Sequence, residues 1–167
     1  TKRIKSGYAE SGVVVAGGRR EDNVHTAECW LLAGGRWWPR APMSGPRFEA
    51  CSTVIDNELW VCGGLDDDQN LATVEVYSPA TNTWRSLSAL SEARLTAVCG
   101  VVGGSLVVAG GYGRGALTSA EAYSPAAARW NTIAPLLHHA WRATACVLNG
   151  RLFVAGGWRS DRQQMWD

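Results

Sequence analysis

The stretch ELWVCGGL, residues 58–65, is a short strand-like run stopped by two glycines. Nearly the same words return as GVVVAGG at 12–18, SLVVAGG at 105–111 and RLFVAGG at 151–157. One such doublet would be an ordinary turn. The four doublets, Gly17-Gly18, Gly63-Gly64, Gly110-Gly111 and Gly156-Gly157, instead step by 46, 47 and 46 residues. A period of that regularity marks a repeat protein, whose units cannot bury their own apolar faces and stack on their neighbours instead.

Further features fall into line once the glycines are aligned. Upstream of each later doublet lies a second apolar run: EACSTVI at 49–55, TAVCGVV at 96–102 and RATACVL at 142–148. Between the two runs stand DNE at 56–58, VGG at 102–104 and NGR at 149–151, where residues tolerant of positive φ suit a hairpin turn. Downstream comes a strand with glutamate two residues before an aromatic: AECW at 27–30, VEVYSP at 74–79 and AEAYSP at 120–125. A tryptophan follows, Trp37 or Trp38, then Trp84, then Trp130. Each unit predicts four short antiparallel strands, and no stretch has the period of an amphipathic helix. A four-stranded sheet has two apolar faces to cover, and radial stacking of such sheets covers both.

The composition fits. An apolar content of 46% with 19% charged residues argues against disorder, and 19 glycines and nine tryptophans among 167 residues suit short strands, tight turns and flat side chains between sheets. The formal charge of +1 provides no global field to recruit nucleic acid or an anionic membrane. No apolar run reaches the ~18 residues of a membrane span. The opening TKRIKSGYAES is basic but leads into no apolar core, so it reads as no signal peptide; without an initiating methionine, the sequence reads as a processed product or an excerpt. The five cysteines, Cys29, Cys51, Cys62, Cys99 and Cys146, all fall in predicted strands without metal-ligand spacing. They read as small buried hydrophobes in a reducing compartment, inside the cell and in the cytoplasm.

The doublet, the Glu-x-Tyr-Ser-Pro at 75–79 and 121–125, and the trailing Trp84 and Trp130 together resemble the kelch repeat. The resemblance implies an all-β, kelch-type β-propeller. It covers nearly the whole chain as units 1–46, 47–93, 94–139 and an incomplete 140–167, and is fullest over 47–90 and 94–136. The first unit departs, with Trp30 for the tyrosine and Leu31-Leu32 for Ser-Pro; the fourth has Ala140 where Arg47 and Arg94 stand. Kelch rings commonly have about six blades. Three nearly complete blades plus most of a fourth would therefore be a partial ring, completed by missing residues or by another chain.

The repeated residues read as scaffold. Glycine lets the backbone take positive φ and lets another strand approach closely; a phosphate cradle would need a glycine-rich loop leading into a helix, and none follows. Tyr77 with Trp84, Tyr123 with Trp130, and Trp30 with Trp37 or Trp38 are expected between adjacent sheets. Glu28, Glu75 and Glu121 are expected to anchor onto neighbouring backbone, or onto Arg47 and Arg94. Each belongs to a different unit, which argues against a catalytic acid pair.

Function then belongs to what varies between units. The loops after the doublets read RREDNVHT at 19–26, LDDDQNLAT at 65–73, YGRGALTS at 112–119 and WRSDRQQ at 158–164. Equivalent turns of a propeller share one face, and the resemblance implies that this face binds a protein or peptide. The candidates are Arg19, Arg20, Asp66, Asp67, Asp68, Tyr112, Arg114, Trp158, Arg159 and Arg162, in which arginines and aromatics suit hot spots and the aspartates form a negative ridge. DDDQN lacks the glycine and terminal glutamate of a calcium loop, and His25, His138 and His139 have no zinc spacing, so no metal or cofactor is assigned. No hydrolase elbow is present, and no tyrosine-histidine constellation suits copper. The reading is a non-catalytic interaction scaffold, by resemblance a substrate receptor of a ubiquitin ligase. Two alternatives stay open: a structural subunit of a large assembly, and part of a kelch-domain oxidase or other enzyme with its site outside this segment.

Overall fold

A computed structural model describes residues 12–158, and among them the chain forms thirteen strands and no helix. β1 (Val13–Ala16), β2 (Cys29–Ala33) and β3 (Arg36–Arg40) make a three-stranded antiparallel sheet. β4 (Cys51–Ile55), β5 (Glu58–Cys62), β6 (Val74–Ser78) and β7 (Thr83–Leu87) make a four-stranded one, paired in chain order. β8 (Val98–Val102), β9 (Ser105–Ala109), β10 (Ala120–Ser124) and β11 (Arg129–Ile133) repeat it, and β12 (Thr144–Leu148) pairs with β13 (Arg151–Ala155). The first strand expected of unit one and the third of unit four lie outside the described residues.

Local chemistry sets the hairpins. β4 turns into β5 through Asp56 (φ +49°) and Asn57 (φ +62°), β8 into β9 through Gly103 (φ +57°) and Gly104 (φ +75°), and β12 into β13 through Asn149 (φ +51°) and Gly150 (φ +69°). Two successive left-handed residues are what a two-residue turn needs to follow the twist of its strands. The β6–β7 turn is longer and ends on Asn82 (φ +55°), whose Oδ1 accepts the Tyr77 hydroxyl at 2.8 Å and the Ala41 N–H at 3.0 Å. Its equivalent between β10 and β11 is Ala128 (φ +51°), which carries the left-handed cost and offers no acceptor. Ala128→Asn should therefore stabilise by about 0.5–1 kcal/mol, a rise of roughly 2 °C in Tm by calorimetry; a fall would show that the Asn82 contacts do not transfer.

The sheets pack side by side, with β4 against β8 and β8 against β12. Trp60 of β5 meets Tyr123 of β10 across one seam, ring centroids 5.5 Å apart, in a cluster with Cys51, Val76, Leu106 and Val108. Val98, Ala109 and Ala120 carry the next seam, against Ala145 and Val154. β6 is buried at Val74, Glu75, Val76 and Tyr77 alike, so strict alternation of exposed and buried residues disappears there. This is the all-β propeller architecture that the repeat implied.

The glycine doublets clamp one unit to the next. The N–H of the second glycine donates to the carbonyl that opens the following unit: Gly18 to Arg47 (2.7 Å), Gly64 to Arg94 and Gly111 to Ala140 (both 2.8 Å). The first glycine makes room for that same carbonyl. A Cβ on Gly17, Gly63 or Gly110 would sit 2.3–2.4 Å from it.

A buried arginine ties each middle sheet to the segment that enters it. Arg47 donates to the carbonyls of Gly63 (2.7 Å) and Thr73 (3.0 Å), to Thr73 Oγ1 (3.0 Å) and to Glu75 (2.7 Å). Arg94 repeats this with Gly110 (2.8 Å), Ser119 (3.1 Å to its carbonyl and to its hydroxyl) and Glu121 (3.1 Å). Glu75 and Glu121 also accept the N–H groups of Ser44 and Ser91, both at 2.9 Å. The aromatics hold the same segments from outside. Buried Tyr77 and Tyr123 pack at a tilt against half-buried Trp84 and Trp130, whose indole N–H groups donate to the carbonyls of Ala41 (2.7 Å) and Ser88 (2.8 Å).

The first sheet corrects two expectations. Trp30, Trp37 and Trp38 are exposed at 37%, 50% and 43% rather than packed between sheets. The reason is register: β2 turns into β3 through only Gly34 and Gly35, so Pro39 stands opposite Trp30 and neither tryptophan reaches the place of Trp84. Glu28 likewise meets exposed Arg20 and the Trp30 indole N–H (3.2 Å) instead of a buried arginine.

The cysteines are all free. Cys29, Cys51 and Cys62 are buried and Cys99 half-buried, but Cys146 is exposed, against expectation, because it points away from the third sheet. Burial pushes the Cys29 thiol up; Cys51 is raised chiefly by its hydrogen bond with Cys62, and Cys99 chiefly by its hydrogen bond with Cys51. Since the thiolate is the nucleophile, a maleimide should label Cys146 of the native protein well ahead of the other four. Peptide mapping that finds Cys51 or Cys99 labelled first would contradict the packing.

Candidate functional site

With the repeated polar groups spent on the scaffold, the variable loops are left to make a surface. The residue after each later doublet bridges to the residue after the arginine position of its own unit: Leu65 to Phe48, Tyr112 to Leu95 and Trp158 to Trp141. These short bridges carry loop and entering segment to the same face.

The loops are also tied to one another. His25 of the first loop stacks on Phe48 at 5.3 Å and meets Asp67 of the second, Nδ1 to Oδ1, at 3.0 Å. Arg19 lies over the other partner of that stack, its guanidinium 5.1 Å from the Phe48 ring. Asn70 of the second loop donates to the carbonyls of Gly113 (2.9 Å) and Tyr112 (3.4 Å) in the third. Tyr112 packs on Trp141 at 5.4 Å, and Trp141 on Trp158 of the fourth loop at 6.1 Å. The face thus runs unbroken from Arg19 to Trp158.

Within this face Tyr112 and Trp158 stay 38% and 37% exposed. Asp66 is held in place by its own turn: its carboxylate accepts the N–H groups of Asp68 (2.9 Å) and Gln69 (2.8 Å), which keep its pKa below the usual carboxylate range. Asp68 and Arg114 are exposed, and Arg20 is engaged by Glu28. Arg159 and Arg162 lie outside the described residues. No group of three or more His, Cys, Asp or Glu side chains that could hold a metal occurs among the described residues.

Sequence reasoning missed His25, Phe48, Glu49, Asn70, Trp141 and Arg142 as members of this face. A signal was present, because the position after the arginine position changes from Phe48 to Leu95 to Trp141, and the next from Glu49 to Thr96 to Arg142.

The kelch motif model matches residues 46–91 and 93–137, more than half of the chain. The chain belongs to the kelch-repeat family. It is 32% identical to mouse Kelch-like protein 28 over 95 residues, 52% of this chain and 17% of that protein. It is 37% identical to an F-box/kelch-repeat protein of Arabidopsis thaliana over 73 residues, 41% of this chain and 18% of that protein. The kelch segment therefore spans about a sixth of the length of such relatives. Among solved structures, YjhT superposes with a TM-score of 0.72 at 19% identity, over 89% of this chain and 58% of that one, a likeness of fold alone. No helix among the described residues is long and apolar enough to cross a membrane.

Proposed function

We propose that this kelch segment is a protein-binding module and that its partner docks on the loop face. One observation carries the reading: the loop face is cross-tied by the His25–Phe48 stack, by Asn70 to the third loop and by the Tyr112–Trp141–Trp158 row. A surface ordered before binding loses less conformational entropy on binding, and exposed aromatics with stacked arginines are the residue types that carry interface energy. The likeness to Kelch-like and F-box/kelch-repeat proteins supports a protein as the partner and extends the proposal to a substrate receptor of a ubiquitin ligase. Five free cysteines support an intracellular setting.

The test compares Tyr112→Ala/Trp158→Ala with Arg129→Ala, a change on the exposed outer strand β11, in affinity capture followed by mass spectrometry. The loop variant should lose the captured proteins while its Tm stays near that of the wild type, and the β11 variant should keep them. Equal capture by both would overturn the reading. A captured set free of ubiquitylated proteins would overturn the ligase extension alone.

A further inference from the structure

The Arg142 end of the loop face is arranged like a site that already holds a ligand. The guanidinium lies over the Trp141 ring, 5.3 Å from its centroid, and that ring packs in turn on the exposed rings of Tyr112 and Trp158. It is 56% exposed and meets one carboxylate, Glu49 Oε1, at 3.5 Å. The two residues are 93 apart in sequence, and the contact reaches from the second unit to the fourth, past the third.

Such a pair is a poor stabiliser. It is exposed, long and monodentate, and ion pairs of that kind contribute little. The backbone at this rim is also strained. Glu49, Thr96 and Arg142, each two residues after the arginine position of its unit, take φ of +54°, +50° and +56° without being glycine. For the β-branched Thr96 that conformation is an outlier. Thr96 N–H donates to the Glu49 carbonyl at 2.8 Å, so the strained positions hold one another, and Thr96 Oγ1 is buried with no partner.

We infer that Arg142, on its aromatic bed, is a carboxylate-binding subsite that the chain's own Glu49 occupies in competition with the partner. The inference rests on the protein-binding reading and adds the partner's chemistry. A planar guanidinium can take a carboxylate on two parallel N–H groups, and Glu49 uses one. The group now seated there is a glutamate side chain, so the group that displaces it is an acidic side chain of the partner, with an adjacent flat or apolar residue lying against Tyr112 and Trp158. Glu49 sets the threshold for that exchange by lending Arg142 a weak partner in the free state and repelling an incoming carboxylate.

The probe is the dipeptide acetyl-Phe-Glu-amide, titrated into the isotope-labelled chain while the tryptophan indole N–H signals are followed by NMR; acetyl-Phe-Gln-amide is the neutral control. Glu49→Gln should tighten binding of the glutamate peptide by about threefold to tenfold and leave the glutamine peptide unchanged. Arg142→Gln should abolish the preference for glutamate over glutamine. Unchanged Tm in both variants confirms that they fold. Equal affinity of wild type and Glu49→Gln for the glutamate peptide would overturn the self-competition. So would a glutamate preference that survives Arg142→Gln. If either occurs while Tyr112→Ala/Trp158→Ala still loses captured proteins, the binding module stands and the carboxylate subsite falls.

Discussion

Arg94→Met should cost about 3–5 kcal/mol of folding stability, read as a fall in the denaturant midpoint at unchanged m. Arg94 has no exposed side-chain surface and Glu121 only 3%. Methionine fills much of the same space, so the loss is chiefly one of charge and donors. Glu121 would keep a buried carboxylate with only the Ser91 N–H, and the carbonyls of Gly110 and Ser119 would each lose the Arg94 donor. A domain of this size is typically stable by about 5–15 kcal/mol, so the variant sits near the edge of folding. Adding Glu121→Gln should recover part of the loss, because the orphaned group is then neutral; a coupling of about 0.5–3 kcal/mol is the signature of groups in one network. Arg20→Gln is the contrast. It breaks the exposed pair with Glu28 and should cost less than about 1 kcal/mol. If Arg94→Met unfolds at the wild-type midpoint, the buried arginines are not what ties the entering segment to its sheet.

That network is legible in the sequence because its members recur at nearly constant offsets from the glycines. Arg47 and Arg94 both stand sixteen residues before the first glycine of a doublet, and Glu75 and Glu121 follow it by twelve and eleven. A repeated offset inside one unit is local geometry, which sequence encodes directly. The hairpins were legible for the same reason: Asp56-Asn57, Gly103-Gly104 and Asn149-Gly150 are residue types that accept the left-handed turn.

In the first sheet, distance from the glycines does not track register. Trp37 and Trp38 lie at about the right spacing, but the two-residue Gly34-Gly35 turn closes the hairpin early and sets Pro39 opposite Trp30. Turn length, not residue count, fixes which side chains face each other. The loop face was legible as a location and illegible as a set of contacts. Asn70 reaches Gly113 across 43 residues and Arg142 reaches Glu49 across 93, separations fixed by how sheets fan around an axis rather than by any spacing within a unit.

Gly110→Ala and Gly156→Ala should differ sharply, although the two glycines hold equivalent places and nearly equal conformations, φ +64° and +68°. Both substitutions incur the left-handed penalty of about 1–2 kcal/mol. At Gly110 the new methyl would also stand 2.4 Å from the Ala140 carbonyl oxygen and 3.2 Å from the Ala140 Cβ. That oxygen cannot move away freely, because it accepts the Gly111 N–H at 2.8 Å. Relief requires the fourth unit to shift off the third, so an overpacking cost of about 1–3 kcal/mol is added, for a total of about 2–5 kcal/mol. At Gly156 nothing among the described residues lies within 4 Å of the added Cβ, so the dihedral penalty should be the whole effect. Hydrogen exchange gives a second readout. Gly110→Ala should speed exchange of the Gly111 amide and of the β8 amides at the seam with β12, whereas Gly156→Ala should leave both unchanged. Equal destabilisation by the two would mean that the doublets serve their own turn and do not clamp the next unit, which would remove the reason for four doublets at a constant period.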